Sequence, residues 1–526
     1  MVLLGMDEEI FRNDNDAIEL NEEITSIRVR YSTIVNYLSQ IYRLIIAVGF
    51  TIVVTRRLTR EEYGLFTTIN SINLIILSIA FLWQLWVTRY YARRRYEYVS
   101  TALFLNTLFA PMAFLTVVTI GFYYSNLLGY DWFIFIVGAL WVVIEVFNRF
   151  YRYIVMGSKP FIFGKTEIVR HSFRISFAYI FVALLAYRVM GAILSVIIAS
   201  LEAFITYSFL ISRYKIHIPR LKIDKEKIVT LIKNSYIPLQ MSLYRMLLQF
   251  ERPILVLLTA STLAAAYMGV AYIPRSVIIQ SGRALSSGLV SKLLRKPSRE
   301  DIEDVLRVTF IVNIGILFLL ITLSIPLLSL FRIEYIDGRI LFILFSFESI
   351  FLIFSNIFGD IAMAMERKDL YEAGLALIGT PLFRIPFYRL IRGICAIATG
   401  SVVSALMIYY FGITDPVIIS MPYPTTWLIT AIPLFIYTYK EARRQIEFKI
   451  PYRELIASVI AGSVASFFLY LTGSTNYIVK SFWQDTPYLL TLLAITAIIY
   501  FGIVLLLSKW LRDFIKKSIK HYLGKA

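Results

Sequence analysis

Residue types that commonly organise chemical sites are nearly missing from this chain. It has one cysteine, Cys395, and three histidines, at positions 171, 217 and 521. A lone cysteine excludes an intrachain disulfide framework, and histidines so scattered do not suggest a metal site. Polar sequence is scarce too: 17% of residues are charged against 58% hydrophobic, with a mean hydropathy of +0.70. Almost nothing reads as a polar domain of independent size. A phosphate-binding loop is also missing, because GSKPFIFGKT at 157–166 puts six residues between Gly157 and Gly164 where four are required, and no strand precedes it. The chain therefore carries no motor ATPase.

What is present is apolar sequence in lengths that cross a bilayer. A spanning helix needs about 20 apolar residues for about 30 Å of hydrocarbon, and such runs recur from residue 33 to residue 508. They predict an all-α polytopic membrane protein with about fourteen transmembrane helices. The first 30 residues are too acidic and too broken for a cleavable signal peptide and read as a cytoplasmic tail. One stretch resists the pattern: GLALIGTPLFRIPFYRLIRG, 374–393, carries Pro381, Pro386, Arg384, Arg389 and Arg392, and reads as an interfacial amphipathic approach, not a span.

Lysine and arginine near span ends resist translocation. Most of the 53 basic residues fall on segments that share one side if the amino terminus is inside. Both termini are thus expected in the cytoplasm, with the protein in the cell (plasma) membrane. The formal net charge of +18 then becomes a solvated inner face against anionic lipid. Nucleic acid is excluded as a partner, since the charge is spread over loops and tails, not gathered on one domain.

The chain also repeats itself. SQIYRLI at 39–45 lies over MSLYRML at 241–247, pairing Tyr42 with Tyr244 and Arg43 with Arg245, and EEYGLF at 61–66 falls near AAYMGV at 265–270. Six spans per unit is an even number, so two units share one orientation, as a parallel repeat requires. The expected organisation is a cytoplasmic tail at 1–32, an N-lobe at 33–213, a basic linker at 214–234, a C-lobe at 235–440, two further helices within 441–508, and a basic cytoplasmic tail at 509–526.

The segment YLSQIYRLIIAVGFTIVVTRRLTREEYGLF, 37–66, and within it RLTREEYGLF, resembles the first hairpin of the polysaccharide, or lipid-linked oligosaccharide, flippases. The hairpin has its own physics. Thr59 with Glu62 makes a capping box for the second helix, and Gly64 permits close helix approach. The resemblance implies the fold of the multidrug, oligosaccharidyl-lipid and polysaccharide exporters: two lobes around a central cavity that opens alternately to each side. It further implies that helices one, two, seven and eight face the cavity, and that helices thirteen and fourteen border a groove for a lipid tail.

Arginines inside apolar spans are few, and they cluster at Arg43, Arg245, Arg252, Arg275 and Arg283. An arginine at mid-span costs about 2.5 to 3.5 kcal/mol on insertion scales, so it normally faces a wet interior and has a partner. A lipid-linked saccharide must carry its phosphate or pyrophosphate across the bilayer, and arginine forks offer bidentate donors at fixed charge. Arg43, Arg245, Arg275 and Arg283 are therefore the candidate phosphate-binding residues, with Arg252 better explained by its neighbours Glu251 and Pro253. The bland alternative pairs these arginines with buried carboxylates such as Glu145, Glu202, Glu251 and Glu348. Glu145, Glu202 and Glu348 could instead hold a proton or sodium ion that drives the cycle; no other cofactor is expected.

The function expected is a flippase moving a lipid-(pyro)phosphate-linked oligosaccharide from the inner to the outer leaflet, for polysaccharide or glycoprotein biosynthesis. It would be a monomer, not an enzyme, working beside glycosyltransferases of the same pathway. The alternatives are a multidrug or organic-cation exporter of the same superfamily, and an integral-membrane glycosyltransferase.

Overall fold

The structure, a computed structural model, describes residue 35 and residues 38–92, 94–221, 224–233, 235–295, 298–366 and 378–523. Among these residues every regular element is a helix. The predicted 1–32 tail lies outside the described residues.

The first lobe runs through α1 (Leu38–Arg57), α2 (Arg60–Ile79), α3 (Phe81–Ala92), α4 (Tyr96–Leu128), α5 (Phe133–Ser158), α6 (Phe161–Ala178) and α7 (Arg188–Arg213). A π-helical turn, Tyr179–Leu184, extends α6. The basic linker folds into the short amphipathic α8 (Lys225–Lys233), which buries Leu231 and packs on α3 and α4. The second lobe comprises α9 (Tyr236–Thr259), α10 (Leu263–Ala271), α11 (Ile273–Arg295), α12 (Arg299–Thr322), α13 (Ser324–Phe331), α14 (Arg339–Met365), α15 (Pro381–Tyr409), α16 (Pro416–Ser420) and α17 (Pro422–Gln445). Two helices follow, α18 (Tyr452–Leu471) and α19 (Phe482–Leu507); α18 packs on α12. The chain ends in amphipathic α20 (Lys509–Leu523), whose Trp510 indole donates to Asp304 at 3.0 Å.

Among the described residues ten helices are long and apolar enough to cross a membrane, or eleven spans if α2 and α3, bent by 55°, form one. This is a multi-pass membrane protein. The expected count of fourteen would also need α6, α9 and α11, which are too polar or too charged for their length. Their charges include Lys165, Glu167, Arg170 and Arg174 on α6, Arg245, Glu251 and Arg252 on α9, and Arg275 and Arg283 on α11. These charges belong to the clusters described below, whose other members lie on helices apolar enough to span.

The segment read as an interfacial approach is a finding against expectation. Residues 381–393 are the first part of the continuous helix α15, itself apolar enough to span. Pro381 occupies the first turn, where its missing N–H removes no helical bond. Arg392 is 3% exposed and answered by Glu348, so its charge does not meet lipid. Residues 374–377 lie outside the described residues.

Where α1 turns into α2, the two lobes are sealed together. The Thr59 hydroxyl accepts from the Glu62 amide and the Glu62 carboxylate accepts from the Thr59 amide, so the capping box forms. Glu61 O then accepts from the Thr262 hydroxyl at 2.8 Å, Arg332 donates to Leu58 O at 2.8 Å, and Arg56 donates to Leu330 O at 2.8 Å. Gly64 makes this closure possible, since a Cβ there would sit 2.0 Å from Thr262 O. Tyr63 and Tyr267, partners in the sequence repeat, both meet the ring of Tyr335 edge-on, at 6.2 and 5.8 Å.

Candidate functional site

Away from this seal lies a cavity of about 400 Å³ whose wall contains Arg43, Arg245, Arg275, Arg283 and a fifth arginine, Arg389. Each is delivered by a different stretch of helix: α1, α9, α11 at two levels, and α15. The remaining polar wall comes from Tyr244, Tyr272, Ser276, Gln280 and Asn356, and no carboxylate is among the described lining residues. Helices α1, α9, α11, α14 and α15 therefore form the wall, and no described residue of α2 or α3 does. The expectation that helix two faces the cavity fails because the helix pair α2 and α3 packs along α9. There Ser242 donates to Ser78 O and Arg252 donates to the Ser71 hydroxyl at 3.0 Å. Arg252 is thus tied across the lobes, by Ser71 and not by its neighbour Glu251.

Each cavity arginine is held differently. Arg43 reaches across the lobes, its Nε and Nη2 donating to Gln280 Oε1 at 3.2 and 2.8 Å. The Arg245 guanidinium carbon lies 3.7 Å from the Phe81 ring centroid, and the side chain also hydrogen-bonds to the Tyr153 hydroxyl. Arg283 lines the cavity from the inner part of α11 and is exposed, while Arg389 is half-buried.

Arg275 is the most enclosed. It is 1% exposed, its guanidinium lies 4.9 Å from the Tyr272 ring and 5.0 Å from the Trp427 ring, and its Nε stands 3.2 Å from Glu348 Oε2. That is an ion pair without hydrogen-bond alignment, and both Nη atoms lack a hydrogen-bond partner. Glu348, fully buried, also pairs with Arg392, which donates on to Trp427 O at 3.0 Å, while the Trp427 indole donates to Glu251. Two buried acids, Glu348 and Glu251, thus stand among Arg275 and Arg392, while the other four arginines of the wall have no carboxylate among its described lining residues.

The other two candidate acids sit in the first lobe. Glu145 pairs with Arg170 at 2.8 Å and with Arg149 at 3.7 Å, so it is a charge-pairing residue inside the helix bundle. Glu202 on α7 accepts from the Thr206 hydroxyl and makes no ion pair among the described residues. Neither lines the cavity.

Sequence reading missed Arg389, Gln280, Trp427 and the Glu348–Arg392 pair. For Arg389 and Arg392 a signal existed: they stand three apart after Pro386, at the spacing that puts them on one helical face. Gln280 stands three residues before Arg283, at same-face helical spacing, but a single amide carries no such flag.

No protein-family model matches the chain, and no curated protein does. Solved structures do. The lipid II flippase MurJ in an inward closed conformation superposes with a TM-score of 0.60 at 14% identity, over 92% of this chain and 99% of that one. An inward-facing multidrug resistance MATE family transporter of the MOP superfamily gives 0.54 at 14% identity, over 78% of this chain and 98% of that one. A MOP superfamily transporter from Pyrococcus furiosus, described as having a binding pocket of reverse polarity that suggests a different function, gives 0.55 at 13% identity, over 80% and 96%. The chain has the fold of the MOP superfamily transporters.

Proposed function

We propose that the protein is a flippase that moves a lipid-linked oligosaccharide across the cell membrane by alternating access, holding the substrate's phosphate or pyrophosphate on the cavity arginines. The observation that carries this reading is the cavity wall: five arginines, no carboxylate among the described lining residues, and a guanidinium in Arg275 whose Nη donors have no hydrogen-bond partner among the described residues. Permanent cations in a recess between lobes are costly unless an anion visits them. A phosphate ester matches guanidinium forks in both charge and geometry.

The cycle follows from the seal and the cavity. With both termini cytoplasmic, the α1–α2 turn lies at the outer surface and the cavity in the inner half, so this conformation is closed outside and receives substrate from inside. Rocking of the lobes breaks the contacts of Leu58, Glu61 and Gly64 and presents the same arginines to the outer side. The fold shared with a protein described as a lipid II flippase supports the reading. We take fourteen spans as the count, with α6, α9 and α11 crossing on the strength of interior partners for their charges. Glu202, without an ion pair, is the acid free to carry a coupling proton or sodium ion.

Two rivals are less well supported. An exporter of organic cations would line its recess with acids, and this wall has none among the described residues. A glycosyltransferase would need a sizeable outer loop with catalytic acids, whereas α1 and α2 are joined by Leu58 and Thr59 alone.

The test is flipping of lipid-linked oligosaccharide in proteoliposomes. Arg245→Ala, Arg283→Ala and Arg389→Ala should each slow flipping about ten- to a hundredfold, the worth of one charge-assisted hydrogen bond, with the melting temperature little changed. Folded variants that all flip at the normal rate would sink the proposal.

A further inference from the structure

A second recess opens at the sealed end of the molecule, on the outer flank of the first lobe. It has a volume of about 720 Å³ and lies between α1, the π-helical turn after α6, and the start of α19. Ile52, Val53, Ile175, Ile180, Phe482 and Trp483 give it an apolar wall, and Arg56 and Arg57 stand in its rim. The two arginines differ. Arg56 is committed to the seal through Leu330 O, and its guanidinium lies over the Phe482 ring at 5.7 Å. Arg57 is exposed and has no hydrogen-bond or ion-pair partner among the described residues. The nearby acid, Asp485, is already held by the Tyr477 hydroxyl at 2.7 Å and by the amides of Lys480 and Ser481 at 2.7 and 2.8 Å.

We propose that this recess seats one anionic phospholipid of the bilayer, with an acyl chain against the Ile180–Trp483 wall and its phosphate on Arg57. The site is separate from the transport cavity, from which α1 divides it, and it stands whether or not the protein flips oligosaccharide. Chain burial alone gives no selectivity, because lipid tails are as apolar as the wall. Discrimination must come from the rim, where a basic residue near the surface favours anionic headgroups. The π turn shapes the seat. Its wider i to i+5 bonding, with Leu185 N donating to Ile180 O at 2.9 Å, interrupts the regular helix beside the recess, and such turns are frequent at functional sites. Trp483, 79% exposed to its surroundings, provides an aromatic surface at the depth of the rim.

Trp483 also provides the probe. The full chain is reconstituted in phosphatidylcholine vesicles, and fluorescence is quenched with increasing brominated-chain phosphatidylglycerol or brominated-chain phosphatidylcholine. The Trp483 signal is isolated among the seven tryptophans as the difference from Trp483→Phe. Half-quenching is expected at about fivefold less brominated phosphatidylglycerol than phosphatidylcholine. Arg57→Gln should bring the two curves together, and Ala183→Leu, which fills the recess, should weaken quenching by both. Coincident curves in the unmodified protein, or a preference that survives Arg57→Gln, would overturn the site. Displacement of the brominated lipid by stoichiometric lipid-linked oligosaccharide would overturn the assignment to a bilayer lipid.

Discussion

Two clusters of buried arginine, one in each lobe, show how the same residue type serves two ends. In the first lobe Arg170 and Arg149 face Glu145 and Glu167, with His171 3.4 Å from Glu167 and the Ser200 hydroxyl 3.2 Å from Arg170. Arg152 and Arg174 stand within electrostatic reach of the same groups without an ion pair among the described residues, so arginines outnumber acids here too, but none of these four arginines lines the cavity. In the second lobe Arg275 and Arg392 both pair with Glu348, with buried Glu251 held beside them by the Trp427 indole, and four more arginines stand on the cavity wall with no carboxylate among its described lining residues. Depth in the bundle does not separate the two groups, since both are enclosed. What separates them is that a cavity opens beside the second cluster, with arginines and no carboxylate among its described lining residues.

The contrast can be broken most severely at Glu348. Removing one partner of a buried ion pair leaves an uncompensated charge and costs about 3 to 5 kcal/mol, and here two arginines are orphaned at once. Glu348→Ala should lower thermal stability in detergent far more than Glu145→Ala, whose Arg170 partner keeps Glu167 and Ser200 and is 18% exposed. An equal or smaller loss at Glu348 would show that Arg275 and Arg392 do not depend on that acid.

A milder change sharpens the comparison on the cavity side. Arg43→Lys retains the charge but loses the planar fork that directs Nε and Nη2 together onto Gln280. Flipping should fall by about two- to tenfold, the worth of one ordinary hydrogen bond, and by less than in Arg43→Ala. If lysine and alanine are equally damaging, geometry and not charge is what the cavity requires of this residue.

The arginines that define the cavity were visible in the sequence because an ion inside an apolar run has to be explained. Arg43, Arg245, Arg275 and Arg283 all lie in one wall. Their partners were not visible, for the acid answering Arg275 lies 73 positions later, and nothing local marks Glu348 as facing α11. Arg389 and Arg392 were hidden for the opposite reason: prolines and arginines crowded into 381–392 look like an interfacial segment. Only the packing of α15 against α9, α14 and α17 shows where those charges go. The fold class and the α1–α2 cap were legible because helix length and capping are local properties. The identity of the cavity helices is a tertiary property, and there α14 and α15 took the place expected for helix two.

The smallest expected effect lies at the sealed end, which can be loosened without touching the cavity. Thr59 closes the capping box with Glu62, and Glu62 also pairs with Arg188 at 3.2 Å. Thr59→Ala removes one acceptor for the Glu62 amide while leaving the carboxylate in place, and loss of such a cap costs about 1 kcal/mol. The loss is confined to the turn that carries Leu58 O and Glu61 O into the other lobe, so it should weaken the seal before it weakens the bundle. Hydrogen exchange is expected to quicken over residues 58–66 by about fivefold and to stay unchanged on α9 around Arg245. Exchange that quickens equally at both places would mean that the seal and the cavity open as one unit, and the distinction drawn between the two ends of the molecule would fall.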